Sequence, residues 1–403
     1  MEAAMQNIFI GRQPIMNKML DVFGYELLFR DGENPDANVK DGNFATSQVI
    51  RNAFVDMDMT KLTRGLKCFI NVTRDFLLED DPFLFPSDQV VLEILENEIV
   101  DDTLIEAIQT MAAEGREFAL DDYVGDSRWD PLLTTVDYIK VDVLKLTDEQ
   151  LINVVEKLRP YKAKILAEKV ETNADLETCA ELGFEFFQGY FFAKPEVVAG
   201  KTIAANQAQS LQLLAELQST DVEVDSIQEL ISRDVALSYG ILKLINSAAF
   251  GLSNEVDSIR EAVSYIGLKP LTRWLTLLVI TNSDDQNAEL MSLAIIRARM
   301  CELLAAKANY GDGGAFFTVG LFSMLEAIMQ APIEEIIEKL PLTDELRSAL
   351  IDGEGAMGEA IRCAHAYEEC LWDDASFMHL DVNDIVDIYT ESVNWANETI
   401  AMI

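Results

Sequence analysis

Between residue 7 and about residue 193 the chain returns again and again to short apolar runs that end on a polar side chain, a rhythm few folds accommodate. The runs are Ile8 to Ile10, Gly24 to Phe29, Cys68 to Val72, Val90 to Leu95, Phe118 to Asp122, Tyr138 to Val143, Lys164 to Ala167 and Phe186 to Phe192. Each has the length of a strand. Between them lie longer stretches with apolar residues at helical spacing. In Thr103 to Ala113, for example, Leu104, Ile105, Ile108 and Met111 share a face, and Asp101 and Asp102 supply a cap. Strand and helix alternating in this way predict an α/β fold. Near-regular repetition of seven or eight strands favours a TIM-like (β/α) barrel over an open sheet.

Past residue 200 the rhythm is lost. Apolar residues recur at helical spacing almost to the end, as in Leu211, Leu214, Ala215 and Leu217, or Ile227, Leu230 and Ile231. Breaks fall at Asp221 to Asp225, Gly251 to Glu255, Gly267 to Pro270, Gly311 to Gly314, Pro332, Pro341 and Gly353 to Gly355. These intervals predict an all-α domain of eight or more helices. The expected organisation is a barrel domain over 1–200 and a helical domain over 201–403, with the boundary near residues 198 to 206.

Charge narrows the function. The chain of 403 residues carries a net charge of −39, close to −19 in residues 1–200 and −20 in the rest. Neither half offers the basic face that a phosphate backbone demands, so direct nucleic-acid binding is not expected, and anionic membrane surfaces are disfavoured for the same reason. Five cysteines without CxxC spacing argue against a disulfide framework and against a zinc site. The start, MEAAMQNIF, has no basic segment leading into an apolar one, and the longest apolar run, Trp274 to Ile280, is too short to span a bilayer. The expectation is a soluble cytoplasmic protein.

In a barrel of this type functional side chains sit at the C-terminal ends of the strands. Those ends read Glu26, Asn71, Glu93, Asp121 with Asp122, Lys140, Glu168 and Glu171, and Gln188. Burying so many carboxylates requires compensation. A pair of hard cations would supply it, and with a cation-activated water the same oxygens suit hydrolysis of a phosphate ester. An ion-pair network across the barrel mouth, with Lys140 paired to Glu168 or Asp142, would supply it equally well. Lys140 would orient a water or stabilise developing charge, and Arg30, four residues beyond Glu26, offers a fork for a phosphate oxygen.

The segments GYELLFR (Gly24 to Arg30), FINV (Phe69 to Val72), LEILE (Leu92 to Glu96), ALDDYVG (Ala119 to Gly125), YIKVD (Tyr138 to Asp142), LAEKVET (Leu166 to Thr172) and FFQGYFF (Phe186 to Phe192) together resemble the EAL domain, in that family's order. The resemblance implies a TIM-like barrel that binds cyclic di-GMP and, where active, cuts it to linear pGpG with Mg²⁺ or Mn²⁺. It implies that Glu26, Asn71, Glu93, Asp121, Asp122 and Glu168 are metal ligands, and that Lys140 assists the attacking water. Glu26 and Glu168 share in the catalysis. Arg30, Glu171 and Gln188 belong to the ligand-binding positions, and Glu96 anchors the neighbouring loop. Three features depart from the family. The loop after Asp122 reads YVGDSRWDPLL where a Phe-Gly and a Gly/Ser-rich stretch are usual, Lys169 stands in place of a Gly, and Leu27 replaces the small residue of the namesake motif. Because that loop is tied in the family to dimer contacts and to organising the metal site, both a homodimer and the retention of turnover hang on it. An inactive cyclic di-GMP receptor or a protein-interaction scaffold is the alternative.

In the second half, ISRDVALSYGILKLINSAAFGL and DSIREAVSYIGLKPLTRWLTLLVI resemble the HDOD domain, with Asp234, Asn246, Ser247 and Gly267 at its characteristic positions. That resemblance implies regulation and a protein partner, without catalysis. An HD hydrolase needs clustered His and Asp, whereas this chain has only His365 and His379. Asn246 and Ser247 read as packing or capping groups.

Overall fold

The computed structural model describes residues 8–31, 62–78, 89–189, 205–218, 240–243, 245–246, 256, 258–281, 288–311, 313–329 and 331–402. The chain divides into two compact units, one of Met1–Phe192 with Tyr367–Asp373 and the other of Ala193–Ala366 with Asp374–Ile403.

In the first unit eight strands close into a barrel in sequence order: β1 Ile8–Asn17, β2 Val22–Asp31, β3 Lys67–Val72, β4 Val90–Ile94, β5 Glu117–Leu120, β6 Tyr138–Asp142, β7 Lys164–Glu168 and β8 Phe186–Gln188. The predicted barrel is present, with one reversal. Strand β1 runs antiparallel to both β2 and β8, and the other neighbours are parallel. It is also far longer than the Ile8 to Ile10 segment expected. Gly11-Arg12-Gln13-Pro14 reads locally as a turn, yet it is held between two partner strands. The buried Arg12 is satisfied by the Leu62 carbonyl at 2.8 Å and by the Tyr25 ring at 4.7 Å. Strand β5 stops at Leu120, so Asp121 and Asp122 follow the strand instead of ending it, and Asp122 takes a left-handed φ of 47°.

Period-two alternation explains the layering. Cys68, Ile70, Leu92, Ile94, Phe118, Leu120, Ile139, Val141 and Phe187 face outward into a core shared with the surrounding helices. Ile15, Phe69, Val91, Ala119, Tyr138, Leu166 and Phe186 fill the barrel interior, with Phe23 stacked 4.3 Å from Phe186. The next residues in the same inward series are Gln13, Asn71, Glu93, Asp121, Lys140, Glu168 and Gln188. A dry apolar floor therefore lies directly beneath a polar layer.

Local signals place the helices. Helix α1 (Asp102–Ala113) is capped by Asp101, which accepts from the Leu104 amide at 2.9 Å. Helix α2 (Asp148–Leu158) opens with a Thr147/Gln150 capping box, and α3 (Asn173–Leu182) with a Thr172/Asp175 box. Gly183, at φ 110°, ends α3 in the left-handed conformation.

The second unit is helical throughout its described residues. Its longer helices are α4 (Ala205–Leu217), α5 (Ile259–Ile266), α6 (Leu268–Thr281), α7 (Ala288–Lys307), α8 (Gly313–Phe322), α9 (Asp344–Ile351), α10 (Gly355–Glu368) and α11 (Val382–Met402). The breaks expected at Pro332 and Pro341 fall between helices; of Gly267 to Pro270 only Gly267 does, since Leu268 to Pro270 form the first turn of α6, where a proline is tolerated, and the breaks at Gly311 to Gly314 and Gly353 to Gly355 run into the first residues of α8 and α10. Those expected at Asp221 to Asp225 and Gly251 to Glu255 lie outside the described residues, as do Asp234 and Ser247. Asn246 bridges the Val256 backbone, accepting from its N–H at 2.7 Å and donating to its carbonyl at 2.9 Å, which is a packing role. No helix among the described residues is long and apolar enough to cross a membrane.

Gly24 of β2 pairs with Lys67 of β3, and an added Cβ there would stand 2.6 Å from the Lys67 carbonyl oxygen. Backbone cannot give way as a side-chain tip can. Gly24→Ala is therefore expected to destabilise the barrel by about 1–3 kcal/mol, read as a lower urea midpoint; an unchanged midpoint would show that the strands part without cost.

Candidate metal centre

The polar layer converges on one ammonium. Lys140, 1% exposed, places Nζ 3.0 Å from Glu26 Oε2, 2.9 Å from Glu93 Oε1, 3.0 Å from Asp121 Oδ1 and 2.9 Å from Glu168 Oε1. Five different strands contribute to this cluster, since Asp121 directly follows β5 and the others lie on β2, β4, β6 and β7. Around it, Asn71 donates Nδ2 to Glu26 Oε1 at 3.0 Å, and Gln188 donates Nε2 to Glu26 Oε2 at 2.7 Å and to Gln13 Oε1 at 3.0 Å. Of the two ways of compensating the acids foreseen from sequence, the side chains display the ion-pair network, with Glu168 and not Asp142 as a partner of Lys140. Asp142 binds instead to Lys169 at 2.5 Å and to the Leu144 amide at 2.9 Å.

One ammonium does not neutralise four carboxylates. Burial raises the Glu93 carboxyl well above its ordinary range, and neighbouring Glu26 adds to the effect. Burial also raises Asp121 against the pull of Lys140, and pushes Glu168 up to about 8. Glu26 goes the other way: burial disfavours its charge, but Lys140 and the Gln188 amide bring its carboxyl below the usual value. For Lys140 burial alone would favour the neutral amine; the surrounding acids, Glu168 foremost, reverse this and hold it protonated.

The residues fit a hard cation. Glu93 is wholly buried and neither of its oxygens receives an aligned hydrogen bond, although Oε1 lies in ion-pair contact with Lys140. Asn71 Oδ1 is likewise buried without a partner. Orphaned acceptors are costly in a protein interior, and a ring of carboxylate and amide oxygens is the donor set that Mg²⁺ and Mn²⁺ prefer. A second trio, Glu96, Asp121 and Asp122, brings one oxygen from each residue to within 4.8 Å of the others.

The remaining expected residues divide. Glu171 lies exposed in the segment between β7 and α3. Arg30 lies in β2, paired with Phe9, and its side chain is outside the described residues. The carbonyl of Glu96 accepts from the Arg128 guanidinium in the loop after Asp122. That loop forms a short 3₁₀ helix, Ser127–Leu132, with Trp129 buried and Asp126 as its cap. Three polar neighbours were not foreseen as site residues: Gln13, hidden in the turn-like start of β1, and Lys145 and Lys169, which act at long sequence range on Asp122 and Asp142.

The raised carboxyls set a pH dependence. Glu168 holds its proton in the folded chain up to about 8, whereas unfolding returns it to 4.5. The folded state therefore binds more protons between these values, and its contribution to stability, full below 4.5, is lost as pH rises through about 8. A divalent ion needs the ionised carboxylate, so its affinity is expected to rise over the same window. Metal-free Glu168→Gln is expected to show a flatter stability profile than the parent between these limits, measured by urea denaturation; parallel profiles would remove Glu168 as the titrating group.

The EAL domain family matches residues 13–195 and the HDOD domain family residues 206–340. YuxH of Bacillus subtilis (strain 168) is 31% identical over 401 residues, covering 97% of this chain and 98% of that protein. The cyclic di-GMP phosphodiesterase CdgJ of Vibrio cholerae is 31% identical over 406 residues, covering 98% of this chain and 94% of its own. Among solved structures, Klebsiella pneumoniae BlrP1 in a manganese/cy-diGMP complex aligns at TM-score 0.40 with 20% identity, over 47% of this chain and 56% of that one. Full-length similarity to YuxH and CdgJ, with both domain matches in succession, places the chain in the family of EAL–HDOD proteins.

Proposed function

We propose that this chain is a divalent-metal-dependent phosphodiesterase that opens cyclic di-GMP to linear pGpG, its helical half serving regulation and contact with a protein partner. The observation that carries the reading is the convergence of Glu26, Glu93, Asp121 and Glu168 on Lys140 at the polar layer, with Asn71 Oδ1 and Glu93 Oε2 left unpaired. The name of CdgJ, similar along the whole chain, supports the same substrate.

Glu26, Asn71, Glu93, Asp121, Asp122 and Glu168 would hold Mg²⁺ or Mn²⁺. Such an ion supplies Lewis acidity toward a phosphodiester oxygen and a nearby water. The chain's own groups do the positioning. Gln188 and Asn71 fix both oxygens of Glu26, so its carboxylate cannot turn away from the cluster. Lys140 stays protonated, which makes it a donor that orients the attacking water and steadies charge on the phosphate, never a base. Glu168, in the ionised form that a bound cation would require, is assigned a part in accepting the proton that the water releases. As the water oxygen bonds to phosphorus, the bond to the ribose oxygen breaks and the proton taken up by Glu168 passes to that leaving oxygen; Arg30 and Glu171 are assigned to the nucleotide.

One observation favours a second reading, a receptor that binds without turnover. The loop after Asp122 is a 3₁₀ turn locked by Arg128 on Glu96 and by Lys157, which reaches the Gly125 carbonyl at 3.1 Å and Asp130 at 2.7 Å. For the helical half, the regulatory assignment rests on the match of residues 206–340 to the HDOD domain family.

Purified protein with cyclic di-GMP and Mn²⁺ is expected to yield pGpG on chromatography, and Glu26→Ala to lower the rate by at least about 100-fold. Saturable cyclic di-GMP binding in calorimetry without product would establish the receptor reading instead. Turnover unaffected by Glu26→Ala would remove the proposed centre.

A further inference from the structure

Two lysines beside the centre are used by nothing described above. Lys145 follows β6 and places Nζ 2.5 Å from Asp122 Oδ2, and 3.9 Å from Asp142 Oδ2. Lys169 follows β7 in a left-handed backbone, φ 57°, and places its own ammonium 2.5 Å from Asp142 Oδ2. Asp142 is 1% exposed, and both of its oxygens are engaged, Oδ1 by the Leu144 amide and Oδ2 by Lys169. With that carboxylate taken, Lys145 rests against Asp122.

Asp122 is the member of the ligand set that this contact occupies. The Glu96, Asp121 and Asp122 oxygens lie within 4.8 Å of one another, a spacing that suits one cation. The neighbouring Glu93, wholly buried with Oε1 in ion-pair contact with Lys140 and Oε2 unpaired, is independent reason to expect a cation in the same mouth. An ammonium 2.5 Å from Asp122 Oδ2 competes for the charge that an incoming ion would use. The Lys145 side chain is 47% exposed, so it can withdraw into solvent while still protonated.

We propose that Lys145 is a tethered counter-ion at the outer cation position, so that the centre fills in two unequal steps. The first ion binds among Glu26, Asn71, Glu93 and Asp121. The second, at Asp122 with Asp121 and Glu96 or Glu168, must displace the Lys145 ammonium. Lys169 is the positioning residue: by occupying Asp142 it directs Lys145 onto Asp122. The proposal rests on the metal-centre reading above and adds that this chain's own residues weaken one of two ion sites.

The test is a Mn²⁺ titration of the full chain without nucleotide, with free ion followed by electron paramagnetic resonance. The parent is expected to show two dissociation constants. Lys145→Met should tighten the weaker by about three- to tenfold, as expected for removing one half-exposed competing ion pair, and leave the stronger unchanged. Lys145→Arg, which keeps the charge, should preserve the weak site. Lys169→Gly should tighten the weaker constant too, since it frees Asp142 to draw Lys145 away. Two constants that both ignore Lys145→Met, or that shift alike, would overturn the competition and leave the phosphodiesterase reading intact. A parent that binds no Mn²⁺ would overturn both.

Discussion

A buried ammonium facing four carboxylates governs the first unit. Lys140 cannot shed its proton, because every neighbour within 3.0 Å favours the charged form, and it cannot reach water. The acids cannot all ionise around it, so Glu93, Asp121 and Glu168 are raised while Glu26, tied by two amides, is lowered. Such a centre is costly to maintain for its own sake, since one-for-one hydrophobic replacements of buried ion pairs are often no less stable. Its persistence makes chemical sense when further positive charge arrives at the same place, from a divalent ion and from the ligand contacts that accompany it.

The barrel makes that placement possible through simple periodicity. Phe69, Val91, Ala119, Tyr138, Leu166 and Phe186 close the interior from one side, and the residue two positions later on each strand carries the polar group. On β1, which runs backward, the same step leads from Ile15 to Gln13, so the reversed strand brings an amide to the ring by going toward its own N-terminus. The apolar layer excludes water beneath the ring and leaves it open to one face only. Electrostatic effects there are larger than the same residues would produce on a surface.

Much of this was readable before any coordinates. The run-and-helix rhythm gave the barrel, and reading polar residues at strand ends led to Glu26, Asn71, Glu93, Asp121, Lys140, Glu168 and Gln188, because strand alternation and the barrel rule are local statements about the chain. What escaped is what local statements cannot contain. Strand β1 was expected only over Ile8 to Ile10, and it is pairing with two partner strands, with the Leu62 carbonyl receiving Arg12, that carries it on to Asn17. Gln13 was lost with that extension. Lys145 and Lys169 were invisible as site residues because their partners stand 23 and 27 positions away, and register alone brings them together.

The loop after Asp122 shows how a departure in sequence changes local contacts while the neighbouring acids stay in place. Every acid remains, but Arg128 fastens the chain to the Glu96 carbonyl, and the buried Trp129 fixes the 3₁₀ turn that follows. Glu96 is thus held through its backbone, and its carboxylate faces Asp121 and Asp122. Lys145, just after β6, sets one ammonium against Asp122 at the same outer position. Part of the compensation there is carried by the chain itself, on a half-exposed side chain able to leave, so that a tethered charge and a free ion would compete for one carboxylate.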